Sequence, residues 1–376
     1  MTNPLRELEA AGQSLWLDYF HPHILEDGSL RRLIDEDGLK GLTSNPSIFE
    51  KAIADGDVYD RRVRQVRGKP SPEALYEQLA VADLQAAADV FRPTYDRLGG
   101  ADGYVSLEVS PRLAMDTEGT IREARRLWSA VGRPNLMIKV PGTKPGVPAI
   151  RQLISEGVNV NVTLLFGLGA YLAVADAYMS GLEALKAGGR DLSRVRGVAS
   201  FFVSRIDAKI DAAIDAKLKT AAGETADALR RLRGKVAIAN AKVAFQHFLR
   251  MISEPRWRAL AAAGAAPQRL LWASTSTKDP AYPDTMYADA LIGPDTIDTL
   301  PPKTIDAFRD HGRVTASLAH DVAGAEAVLA EAERLGLDLE GVTDALIVDG
   351  VKQFDDAFGT LLTAVAGKQA QLAAAS

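Results

Sequence analysis

Cysteine is missing altogether from this sequence of 376 residues, and histidine is scarce, with five residues. Without cysteine the protein has no disulfide, no thiolate nucleophile and no zinc site built from cysteine. So few histidines leave little material for Ser-His-Asp catalysis. His21 and His23 form an H-x-H pair, but no acid-rich cluster accompanies them, so we expect no metal site.

Long apolar runs and a basic surface are missing as well. No stretch approaches the roughly twenty apolar residues that a membrane-spanning helix needs, and the first residues do not resemble a signal peptide. The formal net charge of −5 comes with no broad basic field, which argues against nucleic acid as a partner. We therefore predict a cytoplasmic protein that binds neither membranes nor nucleic acid.

What the sequence does contain is a regular alternation of short apolar runs and longer amphipathic segments, typical of βα units around a parallel sheet. Eight runs are predicted as strands, the last of them short and ambiguous: 14–19, 41–46, 103–111, 135–141, 158–163, 196–203, 269–274 and 286–293. Eight strands with helices between them are the count of a (β/α)8 TIM barrel. A doubly wound sheet is the alternative, but no GxGxxG follows a strand and no P-loop is present.

The segments between these strands are predicted as helices, with a long helical stretch over 206–263 that is broken near Gly223 and Gly234. After a helix that starts at Pro301, the residues 321–374 are helical with interruptions at Gly336 and Gly350. We interpret 1–376 as one barrel domain with a helical extension from about 300. The sequence leaves open whether the extension covers the barrel base, shields a face or mediates a dimer, so monomer and homodimer both stay open.

Lys139 is the most unusual residue, because it lies inside the apolar run NLMIKVP at 135–141. An ammonium in apolar surroundings loses hydration, and its pKa is expected to fall. A neutral amine there attacks a carbonyl and forms a Schiff base. Two structural alternatives are a lysine that snorkels to water and a lysine paired with a carboxylate.

Further polar residues stand where the predicted strands end, and in a barrel these ends face one site. They are Asp18, Thr43, Asn45, Glu108, Asn161, Thr163, Ser200, Arg205 and Ser274. Together with Lys139, two carboxylates supply the proton transfers that Schiff-base chemistry on a sugar requires, without a metal or another cofactor. Arg205, Ser274 and Lys278 offer an anion site suited to a phosphate.

Structural explanations exist for several of these residues. Asp18 fits a helix cap or an ion pair, and Glu108 fits a structural pair with Lys139. Asn45, which precedes a proline, fits a turn, and Arg205 fits a bridge to Asp207 on its own helix.

Seven short runs together resemble the transaldolase family, the Schiff-base sugar-phosphate enzymes of the pentose phosphate pathway. The runs are LWLD at 15–18, GLTSNP at 41–46, SLEV at 106–109, MIKVP at 137–141, NVTLLF at 161–166, SFFVSRID at 200–207 and WAS at 272–274. They follow the family's order, and IKVP and NxTLLF are the most specific. The long helical tail is similar to the longer bacterial branch of the family.

The resemblance implies a (β/α)8 barrel with the Schiff-base lysine, Lys139, on the fourth strand. It implies that Asp18 is the general acid/base at the donor's C4 hydroxyl, that Glu108 and Thr163 handle a catalytic water, and that Asn45 steadies the dihydroxyacetone intermediate. The remaining predicted substrate-binding residues are Thr43, Asn161, Ser200, Phe202, Arg205, Ser274 and Lys278. The family pattern has an arginine where this sequence has Ser276, and we interpret Lys278 as its replacement.

The activity that follows is transfer of a dihydroxyacetone unit, from sedoheptulose 7-phosphate to glyceraldehyde 3-phosphate, which gives erythrose 4-phosphate and fructose 6-phosphate. The first alternative is a fructose 6-phosphate aldolase, which a tyrosine placed to protonate the intermediate would favour. The second is a sugar-phosphate binding protein without catalysis. An unpaired amine in an apolar strand is unfavourable to bury, which argues against a protein that has no use for it.

Overall fold

The computed structural model describes residues 3–54, 58–66 and 68–374. Its centre is a closed barrel of eight parallel strands in sequence order, with the last strand paired to the first. The strands are β1 (Gln13–Asp18), β2 (Gly41–Thr43), β3 (Tyr104–Glu108), β4 (Leu136–Pro141), β5 (Val160–Leu165), β6 (Gly197–Phe202), β7 (Arg269–Ala273) and β8 (Thr296–Leu300). The predicted (β/α)8 barrel is thereby confirmed.

Helices connect the strands and form the outer layer, as a parallel barrel requires. They are α1 (Pro4–Ala10), α2 (His23–Glu26), α3 (Ser29–Asp37), α4 (Pro46–Ala54), α5 (Val58–Gln65), α6 (Pro72–Arg97), α7 (Thr117–Val131), α8 (Gly146–Ser155), α9 (Leu168–Ala187), α10 (Ser204–Leu218), α11 (Gly223–Leu232), α12 (Val236–Ser253), α13 (Pro255–Ala261), α14 (Met286–Ala290), α15 (Pro302–His311), α16 (Val322–Arg334) and α17 (Leu339–Ala374). Within the described ranges, no helix is both long and apolar enough to cross a membrane.

The prediction of the eighth strand was wrong. Met286–Ala290 is helix α14, and the strand that closes the barrel is Thr296–Leu300. The buried side chains at 287, 288, 291 and 292 follow helical spacing rather than strand alternation. A short apolar run does not distinguish the two structures by itself.

Below the strand ends, the indole of Trp16 on β1 is buried against β2. Gly41 faces it, and a Cβ at this position would come within 2.4 Å of the indole ring. Only glycine leaves room for the indole there. The strand register then sets Asp18 beside Thr43, and Lys139 between Glu108 and Asn161, one layer above.

The C-terminal helix α17 lies across the carboxyl end of the barrel, where it packs against α4, α6 and α10. The predicted interruption at Gly336 is confirmed, because this residue has φ +66° between α16 and α17. The interruption predicted at Gly350 is wrong: Gly350 lies within α17, where a Cβ would come within 2.9 Å of Leu164 at the end of β5. Glycine there lets the helix approach the barrel closely. That 1–376 forms a single domain stays a prediction.

Candidate active site

A cavity of about 210 Å³ opens at the carboxyl ends of the strands, directly beneath α17. Most of the predicted site residues line it: Asp18, Thr43, Asn45, Lys139, Thr163, Ser200, Phe202, Arg205, Ser274 and Lys278. Thus residues separated by up to 260 positions in the sequence meet in one pocket, as polar strand-end residues of a barrel do. Glu108 and Asn161 lie beside the cavity rather than in its lining.

Lys139 projects from β4 into this cavity and is nearly inaccessible to solvent. Its Nζ lies 3.3 Å from Glu108 Oε2 and donates a hydrogen bond of 3.3 Å to the Ser44 carbonyl oxygen. The side chains of Lys139 and Glu108 are 6% and 4% exposed. The amine is therefore paired with a carboxylate rather than isolated among apolar groups, and the ion-pair alternative describes its resting geometry.

Burial raises the pKa of Glu108, and the charge of Lys139 opposes that rise. The Glu108 carboxyl group loses more from desolvation than the neighbouring ammonium returns, so its neutral form becomes accessible at higher pH. Oε1 of Glu108 and Oγ1 of Thr163 are buried, and neither has a hydrogen-bond partner among the described residues. Such atoms are rare in folded proteins, and here they lie near the amine of Lys139.

Asp18 ends β1 on the other side of Lys139. Its Oδ1 accepts a hydrogen bond of 2.9 Å from Thr43 Oγ1, and that hydroxyl also lies 2.9 Å from Thr299 Oγ1. Burial raises the pKa of Asp18, opposed first by the charge of Lys139. A carboxylate with a raised pKa is a stronger base than an ordinary aspartate, which suits it to accept a proton.

The amide of Asn161 links two strands beneath the cavity floor. Its Nδ2 donates to Ser106 Oγ at 3.0 Å, and its Oδ1 accepts from Ser200 Oγ at 2.7 Å. Asn161 is fully buried, so it orients the Ser200 hydroxyl that lines the cavity. Asn45 forms the turn considered for it, since its Oδ1 accepts from the backbone N–H of Ile48 at 3.0 Å, and the residue also lines the cavity.

Two cations, Arg205 and Lys278, occupy the end of the cavity away from Glu108. Burial lowers the pKa of Lys278, and the charge of Arg205 lowers it further. Lys278 Nζ donates to Ser276 Oγ at 2.9 Å, so the lysine contacts the residue whose expected arginine it was interpreted to replace; the replacement itself stays a prediction. Neighbouring cations that are partly desolvated favour an anion between them.

Ser274 completes this end of the cavity in an uncommon conformation. Its φ is +56°, which L-residues rarely adopt, and its Oγ lies 3.0 Å from Ser204 Oγ. The backbone therefore leaves the line of β7 at this residue and carries 276 and 278 over the cavity.

Sequence reasoning missed three residues of this site. Thr299 lines the cavity from β8, and Phe354 and Gln353 reach it from α17. The short run TIDTL at 296–300, just before two prolines, was the available signal for Thr299. No local pattern indicates that α17 packs over the barrel mouth.

The H-x-H pair lies outside this cavity. The rings of His21 and His23 are 6.3 Å apart between centroids, and His23 Nε2 lies 3.4 Å from Asp27 Oδ2. Among the described residues, no group of three or more histidine, aspartate or glutamate side chains is arranged to hold a metal ion.

Comparison with known proteins agrees with the residue pattern. The family model described as Transaldolase/Fructose-6-phosphate aldolase matches residues 15–365. A protein of Trichodesmium erythraeum (strain IMS101) named Transaldolase is 47% identical over 376 residues, which cover 99% of each chain. Proteins of the same name from Parafrankia sp. (strain EAN1pec) and Thermobifida fusca (strain YX) are 48% and 47% identical, and each alignment covers 97% of this chain and 98% of the relative.

Proposed function

The chain belongs to the transaldolase/fructose-6-phosphate aldolase family, and we propose that its transaldolase activity proceeds through a Schiff base on Lys139. The observation that carries the proposal is the position of Lys139 Nζ. It projects into a cavity that Asp18 also lines, beside the buried carboxyl group of Glu108, and both acids have raised pKa values. Groups whose pKa values are shifted toward neutrality in a cleft are suited to proton transfer.

In the proposed reaction, the amine of Lys139 attacks the C2 ketone of the donor, and the resulting carbinolamine loses water to give an iminium ion. Asp18 takes the proton of the C4 hydroxyl, the C3–C4 bond breaks, and its electrons move to the iminium nitrogen. The donor's remainder leaves as an aldose, and a dihydroxyacetone enamine stays on Lys139. Attack of that enamine on the acceptor aldehyde reverses these steps.

Glu108 and Thr163 are proposed to handle the water that is lost and regained at the carbinolamine. This role is supported by their buried oxygen atoms, which have no hydrogen-bond partner among the described residues and lie on the Lys139 side of the cavity. A protonated Glu108 gives its proton to the departing hydroxyl, and Glu108 as carboxylate accepts it back when water attacks. Its pairing with Lys139 at 3.3 Å sets the distance for this exchange.

Sugar phosphates are the proposed substrates, with sedoheptulose 7-phosphate and fructose 6-phosphate as donors. Arg205, Lys278 and Ser274 are the proposed phosphate ligands, and Thr43, Asn45, Asn161, Ser200 and Phe202 position the sugar. The support is the pair of partly desolvated cations at one end of the cavity. A cytoplasmic location, and assembly as a monomer or homodimer, remain predictions from the sequence.

A fructose 6-phosphate aldolase would need a proton donor for the enamine, for which we expected a tyrosine. Among the described residues that line the cavity there is no tyrosine, which favours transfer over release. The two activities are separated by a coupled assay with and without an aldose acceptor.

Borohydride trapping tests the Schiff base. Reduction in the presence of fructose 6-phosphate is expected to leave a stable adduct on Lys139, which peptide mass spectrometry locates. Lys139→Met should give no adduct, whereas Lys144→Met, a change of an exposed lysine in the following loop, should leave it intact. An adduct on any other lysine, Lys278 included, would contradict the proposal.

A further inference from the structure

Helix α17 brings an aromatic ring to the reactive amine. The centroid of the Phe354 ring lies 5.7 Å from Lys139 Nζ, and Phe354 lines the same cavity while only 8% exposed. A ring at this distance stabilises a cation and covers it from bulk water. Phe354 is thus placed to cover whatever is bound covalently to Lys139.

The same turn of α17 also reaches the anion end of the cavity. Arg205 Nη1 donates a hydrogen bond of 2.8 Å to Gln353 Oε1, and the Arg205 guanidinium lies 5.7 Å from the centroid of the Phe202 ring. Two ion pairs tie this part of the helix to the barrel, Lys209 to Asp349 at 2.8 Å and Arg112 to Asp355 at 3.4 Å. The helix turn is therefore held in place from two sides of the mouth.

We propose that Phe354 is a specificity-determining residue that directs the enamine on Lys139 to an aldose acceptor rather than to release as free dihydroxyacetone. This inference rests on the proposed function. Release requires one proton at the enamine carbon, which gives an iminium ion, and one water at the iminium carbon, which gives dihydroxyacetone and the lysine as its ammonium. The attack of water is shared with transfer, whose ketose product also leaves Lys139 by hydrolysis, so only the proton at the enamine carbon is particular to release. The ring of Phe354 covers Lys139 and shields this carbon from proton donors in bulk solvent.

Transfer needs no such proton, because the acceptor aldehyde, which replaces the departed aldose in the cavity, bonds to the enamine carbon instead. Shielding that carbon from bulk proton donors therefore lowers the rate of release relative to the rate of transfer. Transfer and release therefore differ in which reactant reaches the enamine on Lys139. An apolar cover that touches no other reacting atom is sufficient to set this difference.

The test compares Phe354→Ala and Phe354→Leu with the parent protein. The measured quantity is the ratio of dihydroxyacetone released from fructose 6-phosphate without acceptor to the rate of transfer with erythrose 4-phosphate. We expect Phe354→Ala to raise this ratio about tenfold, equivalent to ~1.4 kcal/mol between the two barriers. Phe354→Leu keeps an apolar cover of similar volume and should stay within about threefold of the parent.

Val348→Ala is the matched control, since Val348 is 70% exposed on the same helix and should leave the ratio unchanged. If Phe354→Ala does not fold, Phe354→Gln takes its place, because it keeps the length but lets water approach. An unchanged ratio in the folded variant overturns the inference. Borohydride trapping on Lys139 in the parent is read separately, so a failed adduct refutes the proposed function, whereas a normal adduct with an unchanged ratio refutes only the role of Phe354.

Discussion

The two ends of the barrel each contain a buried carboxyl group next to a cation, Asp102 at the amino end and Glu108 at the carboxyl end, but the two groups differ in the hydrogen bonds that they accept. At the amino end, Asp102 accepts hydrogen bonds from Trp16 Nε1 at 2.8 Å and from Ser14, and Arg269 Nη1 donates to it at 3.1 Å. Arg269 Nη2 also donates to Thr296 O at 2.7 Å. This network joins four elements of the barrel and satisfies its own charges, which is what a structural role requires.

At the carboxyl end, two buried oxygen atoms of Glu108 and Thr163 lack such partners among the described residues, and two carboxyl groups have raised pKa values. Burial without full compensation is unfavourable for the folded state. The comparison teaches that buried charge alone does not mark a site. What distinguishes the mouth from the base is a buried carboxyl group, Glu108, whose oxygen atoms accept no hydrogen bond among the described residues although it lies beside a lysine.

The sharpest test of this comparison exchanges one aspartate at each end for asparagine. Asp18→Asn should lower the rate of carbon–carbon cleavage by roughly 10²–10⁴-fold, because the general base is lost, while the adduct on Lys139 still forms. Since burial raises the folded-state pKa of Asp18, its ionisation opposes folding as pH rises. The variant should therefore unfold at an equal or higher temperature at neutral pH.

Asp102→Asn should show the opposite result. Its activity is retained, and the free energy of unfolding falls by about 1–3 kcal/mol, because the hydrogen bonds from Arg269 and Trp16 to a charged acceptor weaken. Steady-state kinetics and thermal unfolding give the cleavage rate and the stability of each of the two variants. Normal cleavage by Asp18→Asn, or lost cleavage by folded Asp102→Asn, would contradict the division of roles.

A second change at the base removes the cation. Arg269→Met leaves the Asp102 carboxylate, which is 4% exposed, without its opposite charge. Breaking a buried pair in this way lowers the free energy of unfolding by about 3–5 kcal/mol. Denaturant unfolding measures this loss, and kcat at a temperature where the variant stays folded should match the parent. A variant as stable as the parent would show that the base network contributes little.

Most of the site could be predicted because barrel topology converts sequence position into spatial position. Once Asp18, Lys139 and Thr163 are recognised as strand-end residues, the parallel register places them at one mouth. Thr299 was missed because the strand assignment of 286–293 displaced the true β8, whose short TIDTL run carries three polar residues that are buried. Local alternation is a weak signal where both faces of a strand are buried.

The contribution of α17 could not be predicted for a different reason. Its apolar residues follow ordinary helical spacing, and the sequence does not specify which surface they cover. Gly350 was interpreted as an interruption, although its function is to let the helix pass close to Leu164. Close approach between distant segments is a property of the packed chain, so Gln353 and Phe354 become visible only in the structure.

The anion end of the mouth offers a smaller test. Lys278→Met removes one of the two cations and should raise KM for fructose 6-phosphate about tenfold with kcat little changed, as loss of a uniform binding interaction does. Because charge carries the effect, Lys278→Arg should keep KM near that of the parent. Lys303→Met, which changes an exposed lysine at the start of α15, is the matched control. An unchanged KM in Lys278→Met would remove Lys278 from the phosphate site.

The smallest expected effect concerns a buried acid that belongs to neither end. Asp298 precedes Thr299 in β8, and consecutive strand residues face opposite sides, so Asp298 points away from the cavity that Thr299 lines. Its Oδ1 accepts a hydrogen bond from Thr275 Oγ1 at 3.0 Å. Burial raises its pKa from 3.8 to about 7. The folded protein therefore holds a proton that the unfolded chain releases, and the free energy of unfolding falls as pH rises through the interval between these values.

Asp298→Asn keeps the acceptor for Thr275 but cannot ionise. The difference in unfolding temperature between the variant and the parent should therefore grow in favour of the variant by a few degrees from pH 5 to pH 8. This corresponds to ~1 kcal/mol in a chain of this size. Asp207, whose pKa burial also raises to about 7, titrates in both proteins, so the difference between the two pH profiles isolates Asp298. Activity should stay unchanged, since a raised pKa outside the cavity serves no reaction. Parallel pH profiles would show that Asp298 ionises in the folded protein as it does in the unfolded chain.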